Sequence, residues 1–92
     1  MANEGVFVSV IIPMYNSESF IERCVCSVLN GSYQNIEVLC IDDGSTDGTL
    51  ELVKKLQNED SRVIVLEQNH AGVSAARNYG LQEARGGICC FH

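Results

Sequence analysis

The sequence predicts an α/β fold, a Rossmann-like βαβαβαβ chain whose parallel sheet is flanked by helices. Two observations carry this expectation. Four apolar runs of strand length alternate with three segments whose apolar residues recur at helical spacing. Each connection between runs is long enough to hold a helix, as parallel strands require, and such crossovers are right-handed.

The first run, Val6 to Ile12, is interrupted only by Ser9, which suits a strand buried on both faces. Pro13 lacks the N–H that a ladder uses and is expected to end it. Asn16 or Ser17 is the expected helix cap. Phe20, Ile21, Cys24, Val25, Val28 and Leu29 then form one apolar stripe, and Asn30-Gly31 stops the helix. Ile36 to Ile41 is the second strand. The turn DDGSTDGT follows, with Ser45 or Thr46 expected to cap a second helix. That helix carries Leu50, Leu52, Val53 and Leu56 and runs to about Asn58; Glu51, Lys54, Lys55 and Glu59 give it a solvated far face. Arg62 to Leu66 is the third strand and Gln68 to Gly72 a polar loop. Val73, Ala76, Gly80, Leu81 and Ala84 mark one face of a third helix, its small residues allowing close approach to a sheet. Gly86-Gly87 breaks it, and Ile88 to Phe91 is the fourth strand. No repeat, low-complexity segment or linker divides residues 1–92, so one domain is expected.

Bulk composition narrows the function. Six basic residues against twelve acidic ones give a net charge of −6, which argues against a nucleic-acid partner. No apolar run approaches the roughly 20 residues of a membrane helix, and Met1 to Gly5 lack the basic and apolar regions of a secretory signal. A cytoplasmic location is the expectation. The five cysteines contain no CxxC pair. Cys24, Cys26, Cys40, Cys89 and Cys90 read as small buried hydrophobes rather than a metal site, with the adjacent Cys89 and Cys90 facing opposite sides of their strand.

The loops leaving the carboxyl ends of the strands share one edge of the sheet, where open α/β sheets bind ligands. They carry Pro13-Met14-Tyr15-Asn16, then Asp42-Asp43-Gly44-Ser45, then Asn69-His70-Ala71-Gly72, with Arg77 one turn into the third helix. Tyr15 offers a face for a flat ring. Asp43 can accept from a base N–H or a ribose hydroxyl. Arg77 can pair with a carboxylate or phosphate through its fork. Together they form a nucleotide pocket. Each has a plainer alternative. Tyr15 can merely cover the sheet edge, Arg77 can ion-pair with Asp42 or Asp43, and acids near a helix N-terminus are favourable without a ligand. His70 reads as a solvated loop residue, and His92 has no assigned role. Neither GxGxxG nor GxxxxGK[ST] is present, so nothing cradles a pyrophosphate after the first strand.

Residues 8–56, from VSVIIPMYN through IDDGSTDGT to VKKL, together with AGVSAARNYGLQEARG, resemble the N-terminal half of the GT-A catalytic domain of family 2 glycosyltransferases. The resemblance covers about Val8 to Phe91. It implies that Pro13 and Tyr15 border the base, Asp43 contacts the base or ribose, Asp42 supports that turn, and Arg77 lies beside the nucleotide. It further implies an intact inverting enzyme that moves a sugar from a nucleoside diphosphate sugar, UDP-sugars favoured, to a glycan or lipid-linked acceptor. Such an enzyme would serve surface polysaccharide assembly in the cytoplasm or at the inner face of its membrane. In that family a DxD-type motif after the fourth strand holds Mn²⁺ or Mg²⁺. Here the sequence reads Gly87 to His92 without it, so the metal ligands and catalytic base are expected to be absent and this chain inactive alone. The alternative is a short non-catalytic module of the same fold that binds nucleotide or protein. Either way an open last strand is expected to drive self-association.

Overall fold

The computed structural model of the chain describes residues 7–90, and side chains within 7–88. The expected facing of Cys89 and Cys90 therefore lies outside the described side chains, and Phe91 outside the described residues. In chain order the elements are β1 (Val8–Met14), α1 (Ile21–Leu29), β2 (Ile36–Asp43), α2 (Thr49–Glu59), β3 (Val63–Gln68), α3 (Val73–Glu83) and β4 (Gly87–Cys90). The sheet is parallel with order β3-β2-β1-β4, as the alternating pattern predicts.

Strand alternation sends successive side chains to opposite faces. Ile11, Leu39 and Ile41 meet Ala76 of α3 on one face. Val10, Ile12, Met14, Val38 and Cys40 meet Ile21, Val25, Val53 and Leu56 of α1 and α2 on the other. α3 sits very close to the strands. A Cβ at Gly80 would lie 2.7 Å from Ile11 Cγ2 and 2.9 Å from Ile41 Cδ1. The sheet is thus met by Ala76 and Gly80, both buried. Leu81, about 100° further round the helix, is left exposed, as is Val73 at its start. The expected apolar face of α3 is narrower than its spacing implied.

Pro13 does not end β1; it pairs with Ile41 in register. Among the described residues β4 pairs with Val8–Ile11 and not with Pro13, so the missing amide interrupts no described pairing on that side. Neither pair of expected caps is used as such. α1 starts after Phe20, which is exposed, and its first amides donate to the Ser17 carbonyl. α2 starts after Gly48, three residues later than expected from Ser45.

Glu37 is 1% exposed within the sheet. It accepts from the Ser9 hydroxyl at 2.6 Å and from the Arg85 amide and Nε at 2.9 and 3.2 Å. Ser9 Oγ in turn accepts from the Gly86 amide at 2.9 Å. This explains the one polar residue in β1: Ser9 and Glu37 tie the α3–β4 connection to the sheet. Burial pushes the Glu37 carboxyl up, but these hydrogen bonds and the Arg85 charge outweigh it and hold its pKa below the usual value.

Candidate functional site

The site is built where β1, β2 and β3 release their loops. Two of these loops are zipped together. The Asn16 amide donates to Ser45 Oγ at 2.9 Å, and Asn16 Oδ1 accepts from the Thr46 amide at 2.8 Å. Next to them the Ser17 amide donates to Thr49 Oγ1 at 2.7 Å, and Glu18 Oε1 accepts from the Gly48 amide at 3.0 Å. The residues expected to cap their own helices instead satisfy one another across the gap, because short polar side chains bond whichever backbone groups come near. Asn16 holds φ 48°, a left-handed conformation that asparagine tolerates, and this turns the chain directly after Tyr15.

Asp42 and Asp43 end β2 itself rather than opening the turn, so alternation separates them. Asp42 belongs to the α1–α2 face. Its Oδ2 accepts from the Ser45 amide at 3.1 Å, which supports the turn, while its buried Oδ1 has no partner. Asp43 faces the α3 side and reaches the loop before α3. Its Oδ1 accepts from Gln68 Nε2 and the Ala71 amide, each at 2.8 Å, and its Oδ2 from the Gly72 amide at 3.1 Å. Burial would raise its pKa, but these bonds, with a smaller contribution from His70, keep it below the ordinary carboxylate value. Gly44 follows at φ 75°; a Cβ there would lie 2.9 Å from the His70 amide nitrogen, so glycine serves both the turn and the close approach.

His70 is exposed, as its loop position suggested, yet its ring is engaged. Its ring meets Tyr15 with centroids 4.4 Å apart, and its Nδ1 lies 3.1 Å from Asp43 Oδ2. The tautomer with hydrogen on Nδ1 is the one that fits, since the same nitrogen is 3.1 Å from the Asp43 carbonyl. Its place at the ligand edge was the signal in the sequence; composition carried none.

A cleft of ≈ 240 Å³ opens here. Pro13, Met14 and Tyr15 line it from the β1 end, Asp43 from β2, and His70, Gly72, Val73 and Ala76 from the third loop and α3. Of the five residues singled out from the sequence, Pro13, Tyr15 and Asp43 converge on this cleft. Asp42 stands behind it. Arg77 is half-buried, outside the cleft lining, and makes no ion pair with Asp42 or Asp43 among the described residues. Among the described residues its guanidinium, one turn into α3, makes no ion pair.

Chemically, the cleft offers an aromatic face, a carboxylate acceptor and an apolar floor, which suits a flat ring bearing N–H. Among the described residues no group of three or more His, Cys, Asp or Glu side chains gathers to hold a metal ion. Asp42 and Asp43 face apart and the Asp43 carboxylate already accepts three hydrogen bonds, so these two residues do not fit a divalent cation. No helix of the described residues is long and apolar enough to cross a membrane.

The family model described as glycosyl transferase family 2 matches residues 9–92. The glycosyltransferase GlyA of Streptococcus pneumoniae serotype 4 is 40% identical over 84 residues, which is 91% of this chain and 12% of GlyA. The S. aureus TarS 1–349 structure in complex with UDP superposes with a TM-score of 0.83 at 33% identity, covering 92% of this chain and 26% of that one. The mannosyltransferase PcManGT from Pyrobaculum calidifontis, solved with GDP-Man and Mn²⁺, superposes with a TM-score of 0.81 at 29% identity, covering 88% of this chain and 25% of that one.

Proposed function

The chain belongs to glycosyl transferase family 2, and from that premise we propose that residues 1–92 supply the nucleotide-binding part of a glycosyltransferase. The donor is a nucleoside diphosphate sugar, with UDP-sugars favoured. Pro13 and Tyr15 border the base, Asp43 accepts from the base or ribose, Asp42 holds the turn behind it, and Arg77 lies beside the nucleotide. The observation that carries this reading is the convergence of Tyr15 and Asp43 on one cleft at the carboxyl edge of a parallel sheet. Its likeness to proteins solved with UDP and with GDP-Man supports the ligand class. In the whole enzyme the sugar passes to a glycan or lipid-linked acceptor, with Mn²⁺ or Mg²⁺ on the diphosphate, in the cytoplasm or at the inner face of its membrane. The residues assigned here bind the donor; none of them is assigned to the transfer step.

Titration with UDP, GDP and CDP, with and without Mn²⁺, tests the reading. Binding of a nucleotide that is lost in Asp43→Ala is the expected result. Failure of every nucleotide to bind, or an affinity indifferent to Asp43→Ala, sinks the pocket assignment.

A further inference from the structure

The following rests on the nucleotide reading above. Both groups that would receive a base are already engaged, and by the same side chain. His70 stacks on Tyr15, with centroids 4.4 Å apart and planes 35° from parallel. At that spacing the rings are in contact and no flat ring fits between them. His70 Nδ1 also lies 3.1 Å from Asp43 Oδ2. Gln68 Nε2, the Ala71 amide and the Gly72 amide donate to the carboxylate, and the His70 ring, hydrogen-bonded through Nδ1 to the Asp43 carbonyl at 3.1 Å, covers Oδ2. A carboxylate has about four lone-pair sites, and the one left on Asp43 is the one the His70 ring covers.

Something must leave before a base can bind. The Ala71 and Gly72 amides are backbone groups at the entrance to α3, and Gln68 ends β3. The His70 side chain is 61% exposed, against 5% for that of Asp43. Among the described residues it is held by Tyr15 and Asp43 alone, and it can rotate into solvent without breaking a ladder or a helix. Its ring, moreover, already does what a base would do, offering a flat π-face to Tyr15 and a ring N–H to Asp43. We propose that His70 is a built-in occupant of the base subsite, a gate that an incoming nucleobase displaces by reproducing its two contacts. Uracil and guanine, which carry a ring N–H on their pairing edge, reproduce both. Cytosine, whose ring nitrogen there is an acceptor, reproduces only the stacking.

The test measures UDP and CDP affinity for the full 92-residue chain and for His70→Ala and His70→Phe. His70→Ala frees both contacts and should tighten UDP by about three- to tenfold, the worth of one neutral hydrogen bond no longer broken on binding. His70→Phe keeps a ring over Tyr15 but gives up the N–H, so it should tighten UDP less than His70→Ala does. In the wild-type chain, the NMR cross-peak between the Tyr15 and His70 rings should vanish in proportion to bound UDP, a measurement that stands even if a variant fails to fold. A weaker UDP affinity in His70→Ala, or a cross-peak that persists at saturation, overturns the gate and makes His70 a fixed wall of the subsite. If no nucleotide binds any of the three proteins, the nucleotide reading fails first and the gate falls with it.

Discussion

Asn16 and Thr46 stand thirty positions apart in the sequence, yet the Thr46 amide donates to Asn16 Oδ1 at 2.8 Å. The bond joins the loop that carries Tyr15 to the loop that follows Asp43. It therefore sets the distance between the aromatic face and the carboxylate. Asn16→Ala should lower unfolding free energy by about 1–2 kcal/mol, from a lost acceptor and a left-handed backbone that alanine resists. Asn16→Asp keeps an acceptor and tolerates that backbone, so it should recover most of the loss. Urea unfolding of the three proteins decides it; equal losses in both variants would mean the bond does not carry the stability.

Glu37 should make the fold acid-sensitive. Its folded pKa lies below its ordinary value, so the unfolded chain takes up the proton first as pH falls. The stabilisation is therefore complete above the ordinary glutamate value, roughly 4.3, and is lost as pH drops through the depressed folded value. Unfolding measured from pH 7 to pH 3 should show wild type losing its advantage over Glu37→Gln in the acid range. Parallel curves would contradict the assignment, since Asp43, Asp47 and Asp60 are also held low but are common to both proteins.

Gly80→Ala should destabilise the fold by about 1–3 kcal/mol through overpacking, because the new Cβ falls within 3 Å of Ile11 and Ile41. Pairing it with Ile11→Val tests the cause. Recovery in the double variant supports the clash; additive losses point elsewhere.

Cys40 should resist thiol reagents while the chain is folded. Burial pushes its thiol up to about 12, with Cys24 adding to the rise. Mass spectrometry after brief alkylation at pH 8 should find Cys26, half-buried at the helix surface, modified well before Cys40. Equal labelling would show that the α1–α2 face of the core opens freely.

Ile88 on β4 is 49% exposed, on the α3 side of the sheet but beyond the strands that α3 covers, and exposed strand edges invite pairing. Sedimentation velocity at two concentrations tenfold apart should show a rising average mass. A concentration-independent monomer would remove self-association from the description.

Much of this was legible in the residues. Apolar runs such as Val10 to Ile12 and Val38 to Ile41 marked the strands, and their carboxyl ends brought Pro13, Tyr15 and Asp43 to one edge. What escaped was set by distant partners. Ser45 and Thr46 carry the chemistry of helix caps, and only the arrival of Asn16 diverts them. Glu37 lies in a predicted strand, but its burial depends on Ser9 and Arg85, which stand 28 and 48 positions away. His70 gave no periodic or compositional signal, because its role exists only in contact with Tyr15 and Asp43. Arg77 sits at the predicted helical turn, but the ion pair considered for it with Asp42 or Asp43 does not form among the described residues.

The strand order has a consequence for how the molecule opens. Among the described residues β4 touches one strand, β1, and over four residues only, whereas β1 and β2 pair along seven. The fourth strand can come away while the other three keep their ladders intact. Its amides should then exchange with deuterated solvent through a local opening, well ahead of those in β2, which wait for global unfolding. The Ser9–Glu37–Arg85 bonds set the rate of that first event, and the remainder of the sheet sets the second, so a 92-residue chain is built with two separate thresholds for coming apart.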